Sequence, residues 1–199
     1  MKKNALFLLM IFASSFAFAQ NKGYEKAIEA NGGIGLDNCQ KYTFGVSMIN
    51  GYRFNDNLFL GAGVGYEYLN GLYYHSYEYQ GKILGSSNYD SFDVRNLVQA
   101  FARLKFNLTG NSISPFFSAD LGTTIGLSSN EIQMANGLFY EIGVGCDFKI
   151  NDVQTFYILF GYNAQNYEYK YYDTTFGSSG VDLEKQMSGK FCVHFGLKF

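Results

Sequence analysis

No stretch of this sequence is long and apolar enough to cross a membrane as a helix. Its greasiest run, Ala5 to Phe18, falls short of the roughly 20 residues that a spanning helix needs. Cysteine is scarce: there are three, too few and too oddly numbered for a disulfide scaffold. Cys39 falls in a turn, while Cys146 and Cys192 fall on opposite faces of predicted strands at no metal-ligand spacing, so each reads as a free thiol. Charge of neither sign dominates. A formal net charge of -2 leaves no basic surface on which nucleic acid could bind. Glycine-rich phosphate loops, zinc spacings and calcium loops are missing, so no cofactor is expected. Tryptophan is absent and proline occurs once, yet 19% of the chain is aromatic, which excludes a disordered chain.

What is present begins with an export signal. Lys2 and Lys3 precede the short apolar run, which closes on Ala17-Phe18-Ala19, the form of a cleavable secretory leader. Residues 1–19 are therefore expected to be removed, leaving 20–199 as one domain. No cysteine stands at the cleavage point, which excludes a lipid-anchored precursor.

The remainder alternates with a period of two, as strands with one apolar and one polar face do. Tyr42, Phe44, Val46 and Met48 interleave with Thr43, Gly45 and Ser47. Leu58, Leu60, Ala62, Val64 and Tyr66 interleave with Gly61, Gly63, Gly65 and Glu67, with Phe59 out of step. Further runs follow at Val94–Asn107 (with Leu97 and Phe101 out of step), Phe117–Ile125, Leu138–Ile150, Phe156–Tyr162 and Lys190–Phe199. A weaker one spans Tyr24–Leu36. The count is about eight strands. The apolar face carries Phe, Tyr, Val, Leu and Ile almost without charge, whereas the other is glycine-rich and mixed in charge. A narrow eight-stranded lumen suits the second set better than the first, so the apolar face is expected to meet lipid. Short links at Phe54–Asn57, Leu108–Ser112 and Ile150–Val153 alternate with long ones at Asn70–Phe92, Ser128–Asn136 and Glu168–Gln186. Only the short Asp37–Gln40 link breaks that rule. This spacing predicts an all-β, antiparallel, up-and-down transmembrane barrel.

These residues resemble the outer-membrane β-barrel family of the OmpA and OmpX type, particularly its small stand-alone members. Gly51-Tyr52-Arg53-Phe54-Asn55 followed by Phe59-Leu60-Gly61-Ala62-Gly63-Val64-Gly65 looks like that family's second hairpin. The ending Phe195-Gly196-Leu197-Lys198-Phe199 is similar to the tail that the barrel-assembly machinery recognises, which makes Phe199 an assembly signal. The resemblance implies a cell location in the bacterial outer membrane. The implied partners are outer-membrane lipid and lipopolysaccharide, with periplasmic chaperones during export. It assigns no activity, because a fold does not.

On the polar face stand Glu25, Glu29, Arg53, Glu67, Arg95, Arg103, Lys105, Asp120, Glu141, Asp147, Lys149, Lys190, His194 and Lys198. The near balance of sign predicts a paired network that plugs the lumen rather than an ion path. Enzymatic chemistry is not expected. Lipid A-modifying barrels such as deacylases or acyltransferases place their histidine toward lipid, whereas His194 points inward and His75-Ser76 lacks an orienting carboxylate. A lipid A-modifying enzyme and a narrow channel stand as the alternatives. Tyr73, Tyr77 and Tyr79, and Tyr167, Tyr169 and Tyr171, keep period-two spacing beyond the apolar faces, so strands are expected to continue past the membrane. The two tyrosine sets read either as a binding surface for extracellular protein or glycan, or as an interfacial girdle.

Overall fold

The computed structural model describes residues 23–36, 41–72, 75–79, 82–87, 92–127, 137–173 and 180–199, with the side chains of 71–95 and 167–186 outside that description. The strands in chain order are β1 (Tyr24–Gly35), β2 (Tyr42–Arg53), β3 (Leu58–Leu72), β4 (His75–Tyr79), β5 (Lys82–Ser87), β6 (Phe92–Asn107), β7 (Ile113–Gly126), β8 (Gly137–Lys149), β9 (Thr155–Asp173) and β10 (Gly180–Lys198). Eight of them close into one antiparallel barrel, while β4 and β5 form a separate hairpin inserted between β3 and β6. Each barrel strand pairs with its neighbours in sequence, so the path is up-and-down. β1 then pairs with β10, from Ala27 opposite Lys198 to Gly35 opposite Lys190. Closure leaves no strand edge, which is how a sheet satisfies its backbone in lipid.

The start of β1 and the end of β10 lie at the end of the barrel that carries the three short turns, with Lys26 and Phe199 paired through their backbones. Two of those turns are built alike. Asn55 Oδ1 accepts from the backbone N–H groups of Asn57 (2.9 Å) and Leu58 (2.8 Å), and Asn151 Oδ1 accepts from those of Val153 (2.9 Å) and Gln154 (2.7 Å). An asparagine that folds its own amide back on the chain in this way reverses a strand within a few residues. In the third turn, the Ser114 hydroxyl donates to the Thr109 carbonyl. At the opposite end the strands run long. The β9–β10 ribbon stays paired out to Asp173 opposite Gly180, and the hairpin β4–β5 holds its own ladder. A tilted strand crosses lipid in roughly 9–11 residues, so the 19-residue β9 and β10 project well past the bilayer. Segments that read as long polar connections are thus partly strand, because their period-two spacing continues.

Phe44, Val64, Leu104, Ile142 and Phe195 all lie on the outside and are largely exposed. Arg103, Glu141 and His194, next to three of them in sequence, are buried inside. The interior is not the glycine-and-polar lumen that alternation suggests. Ala27, Ile49, Phe59, Phe101, Phe116, Phe139, Tyr157 and Leu159 form a buried apolar cluster within it. The rings fit because glycines on the same or an adjoining strand leave flat ground for them. A Cβ on Gly61 or on Gly122 would come 2.7 Å from Phe59 Cζ or Phe139 Cε1 respectively. Phe59 and Phe101, which seem out of step in the sequence, are lumen fillers. Valine at Gly61 or Gly122 is expected to cost about 1–3 kcal/mol by overpacking. The check is the urea unfolding midpoint of the refolded barrel. Alanine at lipid-facing Gly32, whose Cβ would meet nothing nearer than 3.7 Å, should leave that midpoint in place.

Candidate functional site: a buried charge network in the lumen

Inward side chains on alternate residues bring acids and bases from distant strands onto common levels of the barrel. At the level nearest the termini, Arg53 Nε lies 2.7 Å from Glu25 Oε2. Close by, Asp147 takes Lys105 Nζ at 2.7 Å on one oxygen and Lys198 Nζ at 2.6 Å on the other. Lys198 reaches Glu25 as well, at 3.7 Å. Asn107 on β6 donates to Asp147 Oδ2 at 2.8 Å, and its own Oδ1 accepts from Arg53 at 3.1 Å.

Glu29 on β1 is the hub of the next level. Its carboxylate accepts from Arg103 Nη1 (2.6 Å, β6) and from the Tyr157 hydroxyl (2.7 Å, β9). It also faces His194 Nδ1 (2.8 Å, β10) and accepts from Ser47 Oγ (3.3 Å, β2). One side chain therefore ties five strands together. Arg103 completes its fork on Asp120 of β7, with Nε to Oδ1 at 2.8 Å and Nη2 to Oδ2 at 2.7 Å. Paired hydrogen bonds of this kind are the strongest that a guanidinium makes. Two strands along the wall from Glu141, His194 Nε2 stands 2.7 Å from Glu141 Oε1, and Asn163 Nδ2 donates to Glu141 Oε2 at 3.1 Å. One level further toward the loop end, Lys190 Nζ is held by both oxygens of Glu67 at 2.6 Å. Gln165 donates to Thr124 Oγ1 at 2.7 Å there.

The aromatic cluster and the ions are interleaved. Lys105 Nζ sits 3.6 Å from the centre of the Phe116 ring and 4.8 Å from that of Tyr157, and the Arg103 guanidinium lies over Phe101. Ring faces attract cations when water is excluded, so the rings stabilise the bases as well as filling space. The lysines, arginines and acids of this network have partners, without which their desolvation would cost several kcal/mol each.

The structure brings Glu25, Glu29, Arg53, Glu67, Arg103, Lys105, Asp120, Glu141, Asp147, Lys190, His194 and Lys198 into this network. Lys149 departs from the expectation. Its position has inward parity, but it is the last residue of β8 and turns out of the rim to Asp152, at 3.0 Å with 48% of its side chain exposed. The side chain of Arg95 lies outside the described residues, as do Cys39, residues 1–22, Tyr73 and the side chains of His75, Tyr77, Tyr79, Tyr167, Tyr169 and Tyr171. Cys192 is buried inside and Cys146 faces outward, both as free thiols. The sequence reading passed over Tyr157 and Phe116. The strict parity of β7 and β9 could have found them, since they lie in step with Ser118 and Asn163.

A closed antiparallel barrel, apolar outside and ion-paired inside, defines a membrane-spanning β-barrel protein. Residues 5–199 match the family model of the outer membrane protein beta-barrel domain, and the chain belongs to that family, whose members sit in the bacterial outer membrane. Among solved structures, OprG of Pseudomonas aeruginosa aligns at 11% identity and TM-score 0.58, over 89% of this chain and 96% of that one. The outer membrane protein AlkL in lipid bilayers aligns at 13% and 0.55, over 90% of each chain. Neisserial surface protein A aligns at 14% and 0.51, over 89% and 98%. At such identities the likeness is one of fold. No curated protein matches the sequence.

Proposed function

We propose that this protein is a plugged outer-membrane barrel whose work is done at its loop end, as a structural or surface-interaction element rather than a pore or an enzyme. The observation that carries this reading is the filled lumen. Between Glu25, Phe59, Arg103, Phe116, Tyr157 and Lys198 the free space is about 10 Å³, barely room for one water. Ion pairs lie above and below that level among the described residues and support a lumen closed to hydrated ions. The paired β9–β10 ribbon and the β4–β5 hairpin extend a frame beyond the bilayer on which tyrosine-rich segments can meet an extracellular protein or glycan. Lipid and lipopolysaccharide would contact the outward apolar face. Export would use removal of the leader after Ala19, periplasmic chaperones and recognition of Phe199 by the barrel-assembly machinery.

A lipid A-modifying activity needs a histidine, a hydroxyl and a carboxylate converging at the lipid-facing rim. Among the residues whose side chains are described, the one histidine, His194, faces inward and is buried, which favours the non-enzymatic reading. Purified barrel in a planar bilayer is expected to give no large, stable single-channel currents. Such currents from the wild-type protein would overturn the plugged lumen. In a binding screen against surface proteins and glycans, intact barrel should retain ligands that a variant lacking residues 73–91 and 174–179 loses. Equal binding by both would remove the loop end as the working part.

A further inference from the structure

Where the lumen network passes from the Glu29 level to the Glu67 level, three ligand-bearing side chains of different chemistry converge. A ring nitrogen of His194, Cys192 Sγ and a carboxylate oxygen of Glu141 all lie within 4.8 Å of one another, and all three residues are buried. Two atoms of these side chains are also unsatisfied. His194 Nε2 and Glu141 Oε1 stand 2.7 Å apart but off the line that a hydrogen bond requires, and neither has a hydrogen-bond partner. Groups buried like this ordinarily find a partner, so their joint orphaning asks for one.

The groups behind these atoms are those that a metal site needs. His194 presents its other ring nitrogen to Glu29 Oε1 at 2.8 Å, the carboxylate–histidine arrangement that fixes a tautomer and aims the free nitrogen at a metal. Asn163 Nδ2 holds the far oxygen of Glu141 at 3.1 Å, which aims the near oxygen the same way. We propose that His194, Cys192 and Glu141 form a binding site for one divalent transition metal of the zinc class, with the fourth coordination position open to water. Nitrogen, thiolate and carboxylate together suit zinc, whose usual ligand distances are about 2.0–2.3 Å.

The filled lumen implies loading during folding.

The test uses the mature chain with Cys39 and Cys146 replaced by serine, refolded in detergent with a phosphine reductant, Co²⁺ being added either during or after refolding. Folding is checked by the mobility difference between boiled and unboiled samples. One Co²⁺ per barrel is expected, with a thiolate-to-cobalt charge-transfer band in the near ultraviolet, and Zn²⁺ should abolish the band by displacement. C192S should lose the band and bind at least about tenfold more weakly, as outer-shell loss alone does. E141Q, isosteric with wild type, should keep the band but weaken binding. If the serine background does not fold, the wild-type chain and its C192S variant give the same comparison. Absence of the band, or equal stoichiometry and affinity in folded C192S, would overturn the site.

Discussion

Replacing Glu29 with alanine is expected to lower the unfolding free energy of the barrel by about 3–5 kcal/mol, the range found when one partner of a buried ion pair is removed. The reason lies in the hub geometry. Arg103 keeps Asp120, but half of its fork is stranded, and His194 loses the carboxylate at Nδ1, 2.8 Å away. Tyr157 is left with a buried hydroxyl whose acceptor is gone. A second replacement, Arg103→Leu, strands Asp120 in its turn, so the loss in the double variant should fall short of the sum of the two single losses, since residues in one network do not act additively. Denaturant unfolding of the single and double variants in the same lipid measures both numbers. A loss below about 1 kcal/mol for Glu29→Ala, the size of an exposed pair, would mean that the lumen is wet and the network screened.

An arginine on the outer face should be almost as damaging. Ile142 is 58% exposed on the apolar wall and lies mid-way along β8, next in sequence to inward Glu141. Ile142→Arg is expected to cost roughly 2–4 kcal/mol, the cost of that side chain near a bilayer midplane. The same substitution at Ile113, at the rim of the barrel, should cost no more than about 1 kcal/mol. If both variants unfolded at the same denaturant concentration, the outward face of β8 would not be the lipid face. Alternation makes this a test of register as well, because a one-residue slip exchanges every inward and outward side chain.

Much of this was readable along the chain. Parity separates Leu104 from Arg103 and Ile142 from Glu141 without reference to any other strand. The short asparagine turns and the long connections between them set the up-and-down path. The residues that parity seemed to misplace, Phe59 and Phe101, were informative: each faces the lumen over a glycine of the adjoining strand. Lys149 misled for the opposite reason, since parity states the direction of a Cβ but not whether the position lies inside the barrel or at its rim.

The sequence by itself determined that the chain forms amphipathic strands, roughly how many, and which side of each avoids water, because a strand's two faces are encoded locally with a period of two. Only the tertiary structure decided which acid meets which base. Glu29 is 74 residues from Arg103 and 165 from His194, and no local rule links them. Closure of β1 on β10 and the stagger between strands bring those levels into line. The meeting of Glu141 with Cys192 and His194 arises in the same way. Their spacing along the chain matches no ligand motif, and Glu141 joins the other two only when β8 and β10 pair on either side of β9 and turn these residues to the same face of the wall.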